Sequence, residues 1–467
     1  KVGSGFNAGT RRLLRKRLEA LAMDHPAFDP APPKDYKGRW GGDLKGVTWV
    51  KPQVVIRAEL GGWTRDNLVR QAAYKGLDEG GKPPEEVIRE RPVDAEATVE
   101  VVEAGLPEAN EPAGLEADVP TSSAARSVDA PPAVDARFAA ATPEELAELD
   151  AMHGDGLWRI GGHELKLTNL DKELFPPKPG DPEPDGARPK AGSLPSPVSK
   201  RELIRYFASV APAMLPHLAD RALNLHRYPN GAARGAGFWQ KNARDTPPWM
   251  RTWREVDVED RNPNVHVVAE EAATLAWLGN LAAFEVHAWT NRIDEPGRPS
   301  FALIDIDPGT ATTWDQTLTL ARLFRTALEH LGVRGYPKTT GQRGIQVWIP
   351  VETIYSFRET SDWVEALSRA VGSTVPDLVS WEWAKDRRGG KARLDYTQNA
   401  SIKTLVAPYA VRPAAGAPVS SPIAWDELDD PDLRSDRWTI RTILGRIAER
   451  GDLFAAAQTD RQRLPPL

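Results

Sequence analysis

The chain has 467 residues, too many for one ordinary domain, with no cysteine and a formal net charge of −6; disulfide frameworks and zinc–thiolate sites are thereby excluded, and a reducing compartment fits. No run of 18 apolar residues is present and no secretory signal is visible, so a membrane span is excluded and the cytoplasm is the expected location. The acidic average hides an asymmetry: residues 91–150 hold 14 acidic and 3 basic side chains, a net of −11, which leaves +5 for the rest and permits a nucleic-acid partner.

The chain opens on Lys1 rather than Met, and KVGSGF reads as mid-domain sequence, so a C-terminal part of something longer, or a processed product, is expected. In residues 1–90, TWVKPQVVIRAEL (48–60) alternates as strands do and AAYKGL follows at 72–77, which predicts a small all-β domain. Residues 91–150 are rich in Ala, Pro, Glu and Val; they lack the apolar surface to offset their ordering entropy and read as a disordered linker. Near its end Thr142 is placed to cap a short helix over PEELAELDAM.

Residues 151–467 read as one α/β unit, interrupted by a Pro- and Gly-rich stretch at 176–197 that reads as a flexible surface insertion. Ser199 caps a helix that begins SKRELIRYF. Thr313 and Gln316 form a capping box ahead of a stripe of Leu320, Leu323, Phe324, Ala327, Leu328 and Leu331, with Gly332 where a C-cap belongs. That helix separates two strands, FALIDID and GIQVWIP.

The first of these strands carries the chemistry. Alternate side chains of a strand share a face, so Asp305 and Asp307 point one way and Ile304 and Ile306 the other. Two adjacent carboxylates repel, and a divalent cation between them relieves that repulsion; hard oxygen donors suit Mg²⁺ or Mn²⁺. A solvated or salt-bridged pair is the alternative for so short a motif. Pro308 and Gly309 end the strand beside the pair. Asp395, in ARLDYTQNA, is a third candidate ligand. KTTGQRG (338–344) is a Gly-rich turn with hydroxyls and two cations, suited to a triphosphate, and lacks the GKS/T ending of a Walker loop. With Lys241, Lys403 and Arg412 the set points to metal-assisted phosphoryl or nucleotidyl transfer.

Together HELKLTNLDKELFP, LNLHRYPNG, FWQK, FEVHAW, FALIDIDPG, KTTGQRGIQVWIP, RLDYTQNA, APYAVRP and DRWTIRTILGRI, in this order, resemble the polymerase (primase-polymerase) domain of bacterial non-homologous end-joining DNA ligases, within the archaeo-eukaryotic primase superfamily. Residues 1–90 resemble the C-terminal OB domain of ATP-dependent DNA ligases through KVGSGF, WVKPQVVIRAEL and GWTRDNLVRQAAYKGL, although Asp78-Glu79-Gly80-Gly81 stands where a basic stretch is usual. The ligase nucleophile motif KxDG occurs nowhere, so ligase activity is not expected.

The resemblance implies an α/β (α+β) catalytic domain of two lobes around a mainly antiparallel sheet, preceded by an OB-fold β-barrel and a disordered tether. It implies a nucleotidyltransferase that adds nucleotides, preferably ribonucleotides, to primer 3′ ends at short gaps or double-strand breaks. Two Mn²⁺ or Mg²⁺ ions would sit on Asp305, Asp307 and Asp395, with NTP or dNTP as substrate. Lys241, His287, Thr340, Arg343, Gln346, Arg388, Lys403 and Arg412 match nucleotide-binding positions; Gln346 stands where the family usually has histidine and would offer phosphate one neutral hydrogen bond. Lys172 and Lys200 match lysines that hold a downstream DNA 5′-phosphate. Trp239, Trp289, Trp348 and Trp383 are candidates to stack on bases. The implied partners are gapped or broken DNA, a DNA ligase and a Ku-type end-binding protein, with the chain a nucleoid-associated monomer. The competing reading is a non-catalytic DNA-binding scaffold that recruits a ligase.

Overall fold

In the computed structural model the described residues are 2–4, 8–25, 47–59, 72–77, 136–190, 192–235, 237–255, 263–382, 387–401 and 403–467. GWTRDNLVR (62–70), Asp78 to Gly81, the stretch 91–135 and Trp383 lie outside them. The chain divides into two units, 1–131 and 132–467.

In the first unit the strands are β1 (Val2–Ser4), β2 (Ala22–Met23), β3 (Trp49–Val50), β4 (Ile56–Glu59) and β5 (Ala72–Leu77). They form a three-stranded sheet in the order β1-β5-β4 and a separate β2-β3 pair, which among the described residues do not close into a barrel. The all-β expectation also missed helix α1 (Ala8–Glu19). After Ala8-Gly9-Thr10, RRLLRKRLE is built from strong helix formers. Its Leu14 packs with Tyr74 and Leu77, so the strand-like sequences nearby do not extend through it.

The second unit begins earlier than residue 151. Helix α2 (Pro143–Ala151) has the Thr142–Glu145 capping box, its Leu149 is buried, and the Trp158 indole donates to the Glu145 carbonyl. Residues 136–151 are thus docked structure rather than linker. Hairpin β6 (Gly156–Ile160) with β7 (His163–Leu167) follows, then β8 (Glu173–Phe175) paired with β9 (Val198–Ser199). The Pro-rich stretch between β8 and β9 is tied down instead of loose: Arg441 donates to the carbonyls of Pro182 and Pro197, and Lys178 pairs with Asp436. Its polar side chains meet a distant segment, which local composition does not reveal. Helix α3 (Lys200–Met214) starts at its predicted Ser199 cap.

Two antiparallel sheets then frame the site. The six-stranded sheet contains β10 (Leu223–Arg227), β11 (Phe238–Gln240), β12 (Thr252–Arg254), β13 (Val265–Val267), β14 (Glu285–Trp289) and β19 (Thr404–Val406), and helix α4 (Ala272–Asn280) precedes β14. The four-stranded sheet runs β16-β17-β15-β18, from β15 (Phe301–Asp307), β16 (Tyr336–Thr339), β17 (Ile345–Pro350) and β18 (Arg393–Leu394).

Helix α5 (Trp314–His330) joins β15 to β16, and α6 (Phe357–Thr374) follows β17. The predicted Thr313–Gln316 box caps α5, Leu320, Phe324 and Leu328 are buried, and Gly332 takes a φ of +65°, a left-handed turn suited to glycine. The chain closes with α7 (Ile443–Arg450) and α8 (Ala455–Thr459). No helix among the described residues is long and apolar enough to cross a membrane.

Candidate active site

Strand β15 grades from core to solvent along one face. Phe301 and Leu303 are buried with Trp348, Leu405 and Phe454, then Asp305 is half-buried and Asp307 exposed; Ile304 and Ile306 fill the main core on the other face. The register sets Asp305 opposite Gln346 on β17, Gln346 opposite Lys338 on β16, and Asp307 opposite Arg393 on β18.

Asp395 follows β18 directly, and its backbone N–H donates to the Asp305 carbonyl at 2.8 Å. The chain fold therefore brings all three aspartates together. Their carboxylates are held differently. Gln346 Nε2 donates to Asp305 Oδ1 at 3.1 Å, and the Arg388 guanidinium lies 3.5 Å from Asp307 Oδ2. The Asp395 oxygens accept from Thr397 Oγ1 (2.6 Å) and Gln398 Nε2 (3.0 Å).

Burial pushes the Asp305 carboxyl up to about 7, against the Gln346 hydrogen bond and helped by the charges of Asp395 and Asp307. For Asp395, burial also acts upward, but Thr397, Arg393 and Gln398 outweigh it and hold the carboxyl below its ordinary value. The donor chemistry fits a hard divalent cation. The arrangement is not a ready-made cage: no group of three acidic or histidine side chains among the described residues is disposed to hold a metal.

Two of the predicted cations, Arg343 and Arg412, lie beside this acidic strip. Arg412 pairs with Glu285 at 3.0 Å and donates to Gln342 at 2.6 Å. Arg343 is exposed and donates to the Gly309 carbonyl, bracing the strand end. Thr340 does not point a free hydroxyl outward; its Oγ1 accepts from the Gly344 N–H at 3.0 Å and closes the Gly-rich turn. Lys403 is exposed.

Lys241 is exposed too and lines a groove of about 530 Å³ with Arg227, Phe238, Trp239 and Arg244. Lys200 is buried and donates to the Thr168 carbonyl at 2.6 Å. Its amine is pulled down to about 8, chiefly by burial and then by the neighbouring charges of Lys172 and Arg227, so these cations share one neighbourhood. Of the tryptophans, Trp239 is 50% exposed, while Trp289 and Trp348 are buried in the fold.

Glu285 escaped the sequence reading. It is 4% exposed and accepts from Tyr228 (2.9 Å), contacts His226 Nδ1 at 2.7 Å, and pairs with Arg412. His287 Nε2 lies 3.6 Å away. Burial raises this carboxyl, but His287, Arg412 and Tyr228 together bring it down to about 2. His226 in turn stacks on Trp239 with ring centroids 4.3 Å apart, and Trp239 meets His287 edge-on at 4.8 Å. The FEVHAW motif held the only hint, an acid two residues before a histidine on one strand face. Lys338 was likewise read as a turn cation, yet it is fully buried and donates to Ser420 Oγ at 2.6 Å.

Residues 199–454 match the model of the LigD primase-polymerase domain, and residues 1–79 match that of the ATP dependent DNA ligase C terminal region. The chain is 30% identical over 306 residues to the multifunctional non-homologous end joining protein LigD of Mycolicibacterium smegmatis, a match covering 65% of this chain and 37% of that protein. It is 28% identical over 468 residues to the LigD protein of Pseudomonas aeruginosa, covering 99% and 46% respectively. Among solved structures, the polymerase domain of Mycobacterium tuberculosis ligase D in complex with DNA aligns with a TM-score of 0.54 at 29% identity, over 64% of this chain and 99% of that one. The chain spans less than half the length of these two curated relatives.

Proposed function

The chain belongs to the LigD primase-polymerase domain family, and on that premise we propose that it is a template-directed nucleotidyltransferase of DNA end joining or gap repair, adding nucleotides, ribonucleotides preferred, to primer 3′ ends. The observation that carries this reading is the acidic strip of Asp305 and Asp307 at the end of β15, with Asp395 bonded to its backbone and Arg412, Arg343 and Lys403 in the surrounding sequence motifs. The neighbour solved with DNA supports DNA as the partner here.

Asp305 and Asp307 would hold divalent cation, and Asp395 would join them on releasing its bonds to Thr397 and Gln398. When bound, Mn²⁺ or Mg²⁺ supplies Lewis-acid stabilisation of the charge that develops on attacking and leaving oxygens. The protein's own part is placement. Arg412, fixed by Glu285 and Gln342, offers a guanidinium for the triphosphate, with Lys241, Arg343, Arg388 and Lys403 as further anion contacts. His287, whose buried Nε2 faces Glu285 at 3.6 Å, would meet the nucleotide sugar. Lys172 and Lys200 would hold the 5′-phosphate across a gap, and a ligase and a Ku-type protein are the proposed partners.

Primer extension on gapped DNA with Mn²⁺ and NTPs tests the reading. The wild-type chain extends the primer, and Asp307→Ala abolishes extension while retaining the fold. Gap binding without extension by the wild type would sink it.

A further inference from the structure

Gln346 departs from the histidine usual in its motif, and its surroundings define a different task. It is 4% exposed, in the middle strand of three, between Lys338 on β16 and Asp305 on β15. Its Nε2 donates to Asp305 Oδ1 at 3.1 Å, while its Oε1 is buried with no hydrogen-bond partner among the described residues. A phosphate ligand needs a donor presented to the substrate. Here one of the amide's two N–H groups is held by a carboxylate, and its buried oxygen can only accept. Arg343 and Lys403, by contrast, are exposed and carry a full charge.

We propose that Gln346 is a positioning residue for the Asp305 carboxylate, tying down one oxygen so that the other faces a divalent cation, and is not a ligand of the nucleotide. The inference rests on the metal-dependent reading above. Groups that hydrogen-bond a metal-ligating carboxylate fix its orientation, and losing one typically weakens metal affinity tenfold or more. A neutral amide does this without placing a positive charge beside the acidic strip, as a protonated histidine would.

The test is Mn²⁺ titration of the full chain without nucleotide or DNA, read by the loss of the free-ion electron paramagnetic resonance signal. Gln346→Leu and Gln346→Met, both donor-free, should each weaken Mn²⁺ binding about tenfold. Gln346→His, which restores an N–H donor, should return it to within about threefold of wild type. The nucleotide KM of the Met variant, measured at saturating Mn²⁺, should stay within about twofold of wild type, as expected for loss of an interaction that does not touch the nucleotide.

Unchanged Mn²⁺ binding in the Leu and Met variants with a raised nucleotide KM would overturn the proposal, as would a histidine variant no better than leucine. The Met variant keeps the test valid if the Leu variant melts early by circular dichroism. Because the titration needs no catalysis, a wild-type chain that binds Mn²⁺ through Gln346-supported Asp305 yet extends no primer would sink the polymerase reading and leave this one standing.

Discussion

Asp305, half-buried, and Glu285, buried, are carboxylates on two different sheets, and they are held on opposite terms. Glu285 is enclosed by His287, Arg412, Tyr228 and His226, and the first three hold it near 2 against its burial. Asp305, among the described residues, has the neutral amide of Gln346 as its side-chain hydrogen-bond partner; burial and two more carboxylates outweigh that bond and the charge of Lys338, and it rises to about 7. A buried charge whose partners are all present stabilises a fold; a buried charge left short of cations is an open request for one. The difference separates a scaffold carboxylate from a reactive one better than burial alone does.

The largest expected effect comes from closing the open request. Asp305→Asn keeps shape and removes charge, so nucleotide addition should fall by on the order of 10³ or more, as for loss of a principal electrostatic element of a site, with stability unchanged or increased. Primer extension and a denaturant melt measure the two sides. A sharp loss of stability would mean that Asp305 is as well paired as Glu285.

Breaking the closed set should act on the fold instead. Glu285→Ala strands the Arg412 guanidinium in the interior, and removing one partner of a buried pair costs about 3–5 kcal/mol. Urea denaturation should show that loss together with a raised nucleotide KM, because Arg412 is then free to turn away from the triphosphate. An intact melting profile would place Glu285 outside the scaffold.

Stability against pH sharpens the contrast without a mutation in the wild-type arm. Asp305 binds its proton more tightly when folded, so the stability it contributes is complete below its ordinary value of 3.8 and is lost as pH rises through about 7. Glu285 runs the other way: its contribution is present above its ordinary 4.5 and is lost as pH falls through about 2. Measured without divalent ions, Asp305→Asn should flatten the upper limb and Glu285→Gln the lower one. Saturating Mn²⁺ should flatten the upper limb too, since a bound cation takes the proton's place.

Much of the acidic strip was legible in the chain itself. The alternation FALIDID assigns its faces, Pro308-Gly309 marks its end, and the Ser199 cap and the capping box at Thr313 locate the flanking helices. The Glu285 cluster was not, because its partners lie at positions 226, 228 and 412 and meet only when β10 and β14 pair and the stretch after β19 folds back. The same reason hid the anchoring of the Pro-rich stretch, whose contacts lie near residues 436–441. Composition read it as loose, just as it read residues 136–150 as linker, although a single capping box and one buried leucine dock them.

The smallest effect is expected where the closed cluster reaches the surface. Trp239 is half exposed and lies flat on His226, whose ring Glu285 holds from behind. A ring supported in this way is already oriented when a base arrives, so little ordering entropy opposes stacking. Trp239→Ala should therefore weaken binding to gapped DNA by about 1–3 kcal/mol, seen by fluorescence anisotropy, and leave Mn²⁺ affinity as it was, because Trp239 touches the Glu285 side of the site and not the Asp305 side. His226→Ala should reproduce part of that loss by removing the support alone. If both variants bound gapped DNA as wild type does, the Glu285 cluster would end at Arg412 and His287, and the exposed tryptophan would be a surface ring with no share in recognition.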